Sequence, residues 1–258
     1  FFKEHPYGQQ TVLGSVEHLK NPSLTKMREY YDTYYVANNM ALILTGDIYP
    51  DEILPLIEAK FGVWKSGEIQ APIDITEQPF NGREKISRRM TPIKVGFMGY
   101  RTVPVGHDDE GALALSLQLL TNESKTGLID ELVVDRKIME AGAFNMDYVD
   151  MGAASFYFLP KLFFQSLTKA ENLVRGQIDK LKSGDFDDEY FNAVKLTMVR
   201  QHEEYIESME GRLFILADLF TKNKSWEEII EWPGKLKNIS KEEVVEVANT
   251  YFGDDYLV

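Results

Sequence analysis

The sequence contains no cysteine among its 258 residues. This absence excludes a disulfide framework, a thiolate zinc site and a cysteine nucleophile. It leaves the compartment open, because cysteine-free chains suit the cytoplasm as well as exported, for example periplasmic, proteins. The sequence also lacks any run of about 18 apolar residues, so no segment is predicted to span a membrane.

Basic residues are scarce relative to acidic ones. There are 28 Lys and Arg against 41 Asp and Glu, which gives a formal net charge of −13. Nucleic acids and anionic membranes are recognised by clustered Lys and Arg, so the overall balance argues against both as partners. The hydrophobic fraction of 44% is ordinary for a globular protein and is enough to form a core.

Histidine is also scarce, and the four present show no catalytic spacing. They are His5, His18, His107 and His202. No two lie four residues apart, and HExxH fails after His202 because Ile206 occupies the last position. A bound zinc ion needs at least three protein ligands, so His5 and His18 are interpreted as loop or surface residues and His202 as part of a solvated helix face. No GxSxG motif supports a serine nucleophile. We therefore predict no catalytic and no metal-binding residue in this chain.

The first 65 residues predict a helix, a strand and a second helix after an irregular start. Ser23 can cap a helix that runs to about Tyr34. The apolar run Met40–Thr45 is typical of a buried strand. Asp51 can cap a second helix that continues to Lys60 and ends at Gly62. A helix-strand-helix unit has too few strands for a sheet with its own core, so it is predicted to complete a larger domain.

Residues 65–83 lack periodicity and contain two prolines and two glycines, which predicts a linker. In the remainder, pairs of strands are followed by runs of helices, which favours an α+β fold in which helices cover one face of an antiparallel sheet. The predicted strands are 84–89, 93–101, 144–148 and 155–159, and the predicted helices are 108–121, 126–137, 168–182, 187–209, 211–222 and 240–252. Three capping boxes support this pattern: Thr168 with Glu171, Ser225 with Glu228, and Ser240 with Glu243.

Two further clusters have both a structural and a functional interpretation. The tyrosines at 30, 31, 34 and 35 could form a peptide-binding platform, but aromatic residues at helical spacing more often pack in a core or between domains. The acidic residues at 185 and 187–189 could suggest calcium, but they lack the later glycine and glutamate of an EF-hand loop. They are interpreted as helix capping. The pairs 108–109 and 254–255 are interpreted as solvated caps.

Several short motifs, in order and spacing, resemble the insulinase/pitrilysin family of zinc metallopeptidases, which includes the mitochondrial processing peptidase. These motifs are His5-Pro6-Tyr7-Gly8, Leu13-Gly14-Ser15 with Glu17-His18-Leu19, Tyr30 to Tyr35, Asn39-Met40-Ala41-Leu42, Gly46-Asp47 and Phe61-Gly62. A later segment from Lys125 to Leu132, with Asp135-Arg136, is similar to a helix of the family's second domain. The specific match lies in residues 1–65.

The resemblance implies paired α+β domains that close around a peptide, and a zinc ion held by an inverted HxxEH helix and a later glutamate. None of these ligands is found here; in the family all three precede the His-Pro-Tyr segment. The chain is therefore interpreted as an internal fragment from downstream of the zinc site. Zinc is expected in the parent protein and not in this segment.

The resulting prediction is an insulinase-like zinc metalloendopeptidase whose parent cleaves peptides or small unfolded proteins in a closed chamber. Residues 1–65 would be the C-terminal part of a first peptidase-type domain, 66–83 a linker, and 84–258 a second, non-catalytic domain. This segment would form chamber wall and support, be inactive alone, and contact the remaining half or a partner subunit. The alternative is a non-catalytic homologue that serves as a scaffold or substrate-binding subunit.

Overall fold

The computed structural model describes residues 1–9, 12–69, 75–89 and 92–258. The chain divides into two units. Unit 1 comprises Phe1–Gln78 and Ile206–Thr221, and unit 2 comprises Pro79–Tyr205 and Lys222–Val258. Among the described residues, no helix is both long and apolar enough to cross a bilayer.

Unit 1 is helical. Its helices are α1 (Pro6–Gln9), α2 (Val16–Lys20), α3 (Leu24–Tyr34), a 3-10 turn (Ala37–Asn39), α4 (Pro50–Phe61) and most of α9 (Met209–Lys222). Helices α1 to α4 bury no residue. The buried side chains of this unit come from Phe2, His5, Ile215 and Leu219. The described part of unit 1 therefore has little core, and its helices present apolar side chains to solvent.

The helix from Ser23 is confirmed, and the Ser23 hydroxyl accepts a hydrogen bond from the Lys26 N–H at 3.3 Å. The strand predicted at Met40–Thr45 is wrong, because the described residues include no strand there. The backbone is extended at Met40, but a strand needs a hydrogen-bonded neighbour. Helix α4 begins at Pro50 with Tyr49 as its N-cap, two residues before the predicted cap Asp51. The predicted irregular start also contains α1.

Unit 2 contains a five-stranded sheet. Its strands are β1 (Arg83–Glu84), β2 (Gly96–Thr102), β3 (Glu140–Asp147), β4 (Gly152–Leu159) and β5 (Tyr256–Leu257), in the order β1-β5-β2-β4-β3. All neighbouring pairs are antiparallel except β1 and β5, which are parallel. The predicted strand 84–89 is wrong beyond Glu84, because β5 supplies only two ladder partners.

Helices cover one face of this sheet, as the α+β prediction requires. The helices are α5 (Glu110–Leu120), α6 (Asp130–Val134), α7 (Leu167–Ser183), α8 (Asp188–Glu207), α10 (Trp226–Asn238) and α11 (Lys241–Tyr251). Of these, α5, α6, α7 and α11 pack directly against the strands, and α10 packs on α5. The core lies where α5, α7 and α11 pack on one another and against β2, β3 and β4. The Tyr100 and Phe156 rings meet edge to face there, with centroids 6.0 Å apart. Such pairs add to the stabilisation from burial alone.

Two of the three predicted capping boxes are confirmed, at Ser225 and Ser240. The third is wrong: the N-cap of α7 is Ser166, two residues before Thr168, and its hydroxyl accepts from the Lys169 N–H at 3.1 Å. Glu171 is not available as a cap, because its carboxylate binds Arg83 and Tyr256 instead. The helix predicted at 126–137 is shorter, because α6 begins only at Asp130.

Candidate functional site

The four histidines lie in separate parts of the chain. His18 is exposed on α2, His107 precedes α5, and His202 is half-buried on α8. His5 lies in a bend before α1 and is 5% exposed, so of the two predicted places, loop or surface, it takes the loop. Within the residues that the structure describes, no group of three or more His, Asp or Glu side chains is placed to hold a metal ion. These side chains do not fit the zinc site of a metallopeptidase.

The His-Pro-Tyr-Gly motif instead forms a structural turn. The Glu77 carboxylate accepts hydrogen bonds from the backbone N–H groups of Glu4 and His5, each at 2.7 Å. The Gly8 N–H donates to the His5 carbonyl at 3.0 Å, and a Cβ on Gly8 would lie 1.9 Å from the Phe2 carbonyl oxygen. Glycine is therefore required at this position, and the motif serves to fold the segment against Glu77.

The two asparagines after α3 have a similar structural role. The Asn38 side-chain amide pairs with the backbone of Gly67 through two hydrogen bonds, at 2.9 and 3.0 Å. The Asn39 amide donates to the Tyr34 carbonyl at 2.9 Å, which occupies a carbonyl left free at the end of α3. These residues shape the chain and do not form a reactive centre.

The tyrosines of α3 stack along the helix but are not in a core. Tyr30 packs on Tyr34 and Tyr31 on Tyr35, with ring centroids 4.6 and 4.8 Å apart. Tyr30, Tyr31 and Tyr35 are all more than half exposed. The prediction that they pack in the core of this unit is therefore wrong for the described residues. That they pack against another domain remains a prediction.

His202 completes the hydrogen bonding of a helix that contains proline. Pro233 lies inside α10 and has no N–H to donate to the carbonyl of Ile229. The His202 Nε2 atom lies 2.9 Å from that carbonyl oxygen and donates to it in place of the missing backbone group. The imidazole also lies against the Trp232 ring, with centroids 4.8 Å apart. His202 is therefore a packing residue and not part of a solvated face.

A buried charge cluster in unit 2 surrounds Glu171, whose side chain is 3% exposed. Arg83 binds both of its oxygens, at 2.6 and 2.7 Å, and the Tyr256 hydroxyl donates at 2.8 Å. Burial opposes ionisation of Glu171, but the hydrogen bonds from Arg83 and Tyr256 outweigh it and hold the pKa below its usual value. This cluster joins β1 and β5 to α7, so it is structural.

A second buried carboxylate, Asp130, organises the loop before α6. One of its oxygens accepts from the N–H groups of Asn122 and Gly127, at 3.0 and 3.1 Å, and the other lies 3.6 Å from the Lys125 ammonium. A Cβ on Gly127 would lie 2.3 Å from the Leu120 carbonyl oxygen. Gly127 therefore lets the backbone of the Lys125–Leu132 segment lie close to the Leu120 carbonyl.

The paired acidic residues also take structural roles. Asp109 accepts from the Tyr251 hydroxyl at 2.5 Å, Asp254 binds Arg175 at 2.7 Å, and Asp255 accepts from the Gly82 N–H at 2.7 Å. Burial and the nearby Asp109 raise the pKa of Tyr251 to about 12. The interpretation of these pairs as solvated caps misses their partners, which lie far away in the sequence. At 187–189, the interpretation as capping agrees with α8, whose first turn is acidic.

The fold and the motifs agree with the comparisons to known proteins. The family model described as the peptidase M16 inactive domain matches residues 22–198, which is more than half of the chain. The chain therefore belongs to the peptidase M16 inactive-domain family. This confirms the resemblance to insulinase-type zinc metallopeptidases.

Individual relatives are more distant. The chain is 26% identical over 168 residues to the beta subunit of the mitochondrial processing peptidase of Caenorhabditis elegans, covering 61% of this chain and 36% of that protein. It is 25% identical over 150 residues to an uncharacterized zinc protease of Bacillus subtilis, covering 58% and 34%. The chain thus spans about a third of the curated relatives it matches. A crystal structure of a protease from Helicobacter pylori superposes with a TM-score of 0.88 at 20% identity, over 99% of this chain and 63% of that one, and shows the same fold.

Proposed function

We propose that this chain is the non-catalytic, supporting part of an insulinase-like zinc metalloendopeptidase that cleaves peptides or small unfolded proteins. In this proposal the zinc ion and its ligands are supplied by residues outside the 258 residues of this chain. The chain contributes chamber wall and buttresses the zinc-binding domain. Residues 1–65 belong to the first peptidase-type domain, 66–83 to a linker and 84–258 to the second domain.

The observation that carries the proposal is the exposed apolar surface of the described part of unit 1. Helices α3 and α4 bury no residue, although Leu24, Met27 and Leu54 are apolar and 57–77% exposed. In the extended segment after the 3-10 turn, Met40, Leu42 and Leu44 are 39%, 51% and 43% exposed. Apolar surface on this scale marks an interaction site in a folded protein.

The partner that suits this surface is the rest of a domain in which helices pack on a sheet. The segment Met40–Thr45 is apolar at every position before Thr45 and has no ladder partner among the described residues, so a neighbouring strand would supply its hydrogen bonds. Helices α3 and α4 would then cover the sheet so formed. The names of the relatives, a processing peptidase and a zinc protease, support a zinc-binding domain as that partner.

Zinc content and peptide hydrolysis of the full-length protein test the proposal together. We expect one zinc per chain, chelator-sensitive cleavage of an unfolded peptide, and no change in either when the exposed His18 and His107 are both replaced by Ala. Loss of zinc in that variant would contradict the proposal, because it would place ligands within this chain. A folded, zinc-free and inactive full-length protein would instead support the scaffold or substrate-binding subunit.

A further inference from the structure

The loop that joins β4 to α7 holds three consecutive apolar side chains in solvent. Leu162, Phe163 and Phe164 are 59%, 75% and 105% exposed, and they form a turn. The two phenylalanine rings contact each other, with centroids 6.5 Å apart. None of the three belongs to the hydrophobic core of unit 2. We call Leu162–Phe164 the apolar tip. Single exposed apolar residues are common, but three in succession at a projecting turn indicate a contact surface.

The residues on both sides of the apolar tip hold it in place. Pro160 and Gln165 are buried. The Gln165 side chain accepts from the Lys161 N–H at 2.6 Å and donates to the Lys137 carbonyl at 3.0 Å, so it clamps the loop to the turn before β3. Phe164 has a φ of +65°, which is uncommon for a bulky residue. A tip held in this way loses little conformational freedom when it binds.

Cations surround the apolar tip, although the chain as a whole is acidic. Arg136, Lys137, Lys161 and Lys169 are all exposed, and they lie on the segments that the loop's hydrogen bonds bring together. Lys137 is offset by Asp135, at 2.9 Å. Glu140, which pairs with Leu159 at the start of the loop, lies 4.0 Å from Lys125. Four cations against the two anions Asp135 and Glu140 leave the neighbourhood of the tip locally positive.

We propose that the apolar tip inserts into the interfacial region of an anionic lipid bilayer, with the surrounding cations against the lipid headgroups. A projecting tip suits a deformable surface, whereas a protein partner would need a matching socket. Apolar side chains at the acyl boundary together with Lys and Arg at headgroup level form the usual pattern of interfacial binding. The net charge of −13 argues against binding of the chain as a whole to an anionic membrane. Charges farther than the Debye length of about 8–10 Å are largely screened, however, so the local positive charge decides the contact at the tip.

The expected binding is weak and reversible. A single acyl chain gives an association constant of about 10⁴ M⁻¹, and a second, electrostatic contribution is needed for stable attachment. The apolar tip and its cations combine these two contributions on a small scale. The inference is independent of peptidase activity, since it concerns only where the protein is held.

Vesicle co-sedimentation of the full-length protein tests the inference. The vesicles contain phosphatidylcholine alone or mixed with phosphatidylserine. We expect binding to the mixed vesicles, weaker binding to the neutral ones, and a loss of about tenfold or more in F163S/F164S, as removal of two inserted aromatic side chains predicts. The matched control is F97S, which removes a phenylalanine that is 60% exposed on β2 and should bind like the wild type.

The charge contribution has its own pair of variants. K161E/K169E should lower binding to the anionic vesicles and leave binding to the neutral ones unchanged. K94E, which alters an exposed lysine that is not among the cations around the apolar tip, should change neither. All these positions are exposed, so thermal melts should match the wild type. The inference is overturned if the wild type binds neither vesicle, or if F163S/F164S binds as the wild type does. A tip variant that alters only the sedimentation coefficient of the free protein would make the tip a protein contact, and that result also overturns it.

Discussion

Replacement of Arg83 by Met should destabilise unit 2 strongly. The change removes both hydrogen bonds that the guanidinium donates to the Glu171 carboxylate. The carboxylate, which is 3% exposed, then keeps the hydrogen bond from the Tyr256 hydroxyl. Removal of one partner of a buried ion pair costs about 3–5 kcal/mol. In a unit of this size each kcal/mol lowers the melting temperature by about 2–4 °C, so R83M should melt roughly 10 °C lower.

The reverse change, E171Q, should cost less. The Arg83 side chain is 34% exposed and can turn to water when its partner loses charge. The loss then approaches that of a hydrogen bond to a charged group, about 1.5–3 kcal/mol. Urea unfolding followed by far-UV circular dichroism measures both variants. The control is K235M, because Lys235 and its partner Glu231 are each 64% exposed and such a pair contributes less than about 1 kcal/mol.

The pH dependence supplies an independent check of the same cluster. The pKa of Glu171 is lowered in the folded state, so its contribution to stability is present above the unfolded value of about 4.5 and is lost as the pH falls through the folded value. E171Q should therefore lose less stability than the wild type on acidification. The reasoning is refuted if R83M and K235M unfold alike, or if the acid slopes of E171Q and the wild type coincide.

Three further predictions concern glycine, proline and local opening. G127A should destabilise the fold by more than about 2 kcal/mol, because the added Cβ would clash with the Leu120 carbonyl. G176A in α7, with open space around it, should stabilise the fold by up to about 1 kcal/mol. Equal melting temperatures of the two variants would contradict this. H202F should lower the free energy of unfolding by about 0.5–1.5 kcal/mol, and the loss should be smaller in a P233A background, where α10 regains its own N–H donor. If the effects of the two substitutions simply add in the double-mutant cycle, His202 does not replace the missing donor. In hydrogen exchange of this chain alone, α3 and α4 should exchange well before α5; equal protection would mean that unit 1 is covered within this chain.

Local signals were sufficient for most helices and for the fold class. The Ser225 and Ser240 capping boxes could be recognised because donor and acceptor lie three residues apart. The Thr168 box has the same spacing and is wrong, because Glu171 binds Arg83, which lies 88 residues away. A local pattern cannot show which of two partners a carboxylate takes.

The remaining errors have the same physical origin. The run Met40–Thr45 has the composition of a strand, but a strand forms only where a neighbour supplies the ladder. The burial of His5 in its loop could not be recognised from neighbouring residues, because the Glu77 carboxylate that binds its backbone N–H lies 72 residues away. His202 could have been recognised from Pro233, since a proline inside a helix leaves a carbonyl free, although the residue that fills the gap lies 27 positions from that carbonyl.

The domain assignment remains a proposal. The boundary between the two units lies between residues 78 and 79, with 206–221 returning to unit 1. The predicted boundaries at 65 and 83 rest on composition. The peptidase M16 inactive-domain match at residues 22–198 includes parts of both units and establishes the family.

The central claim is that this chain supports a zinc peptidase without holding its metal. The most direct test is anomalous diffraction at the zinc edge from crystals of the full-length protein. We predict one zinc peak whose ligands all lie outside the 258 residues of this chain. A peak coordinated by His5, His18, His107 or His202 would contradict the claim.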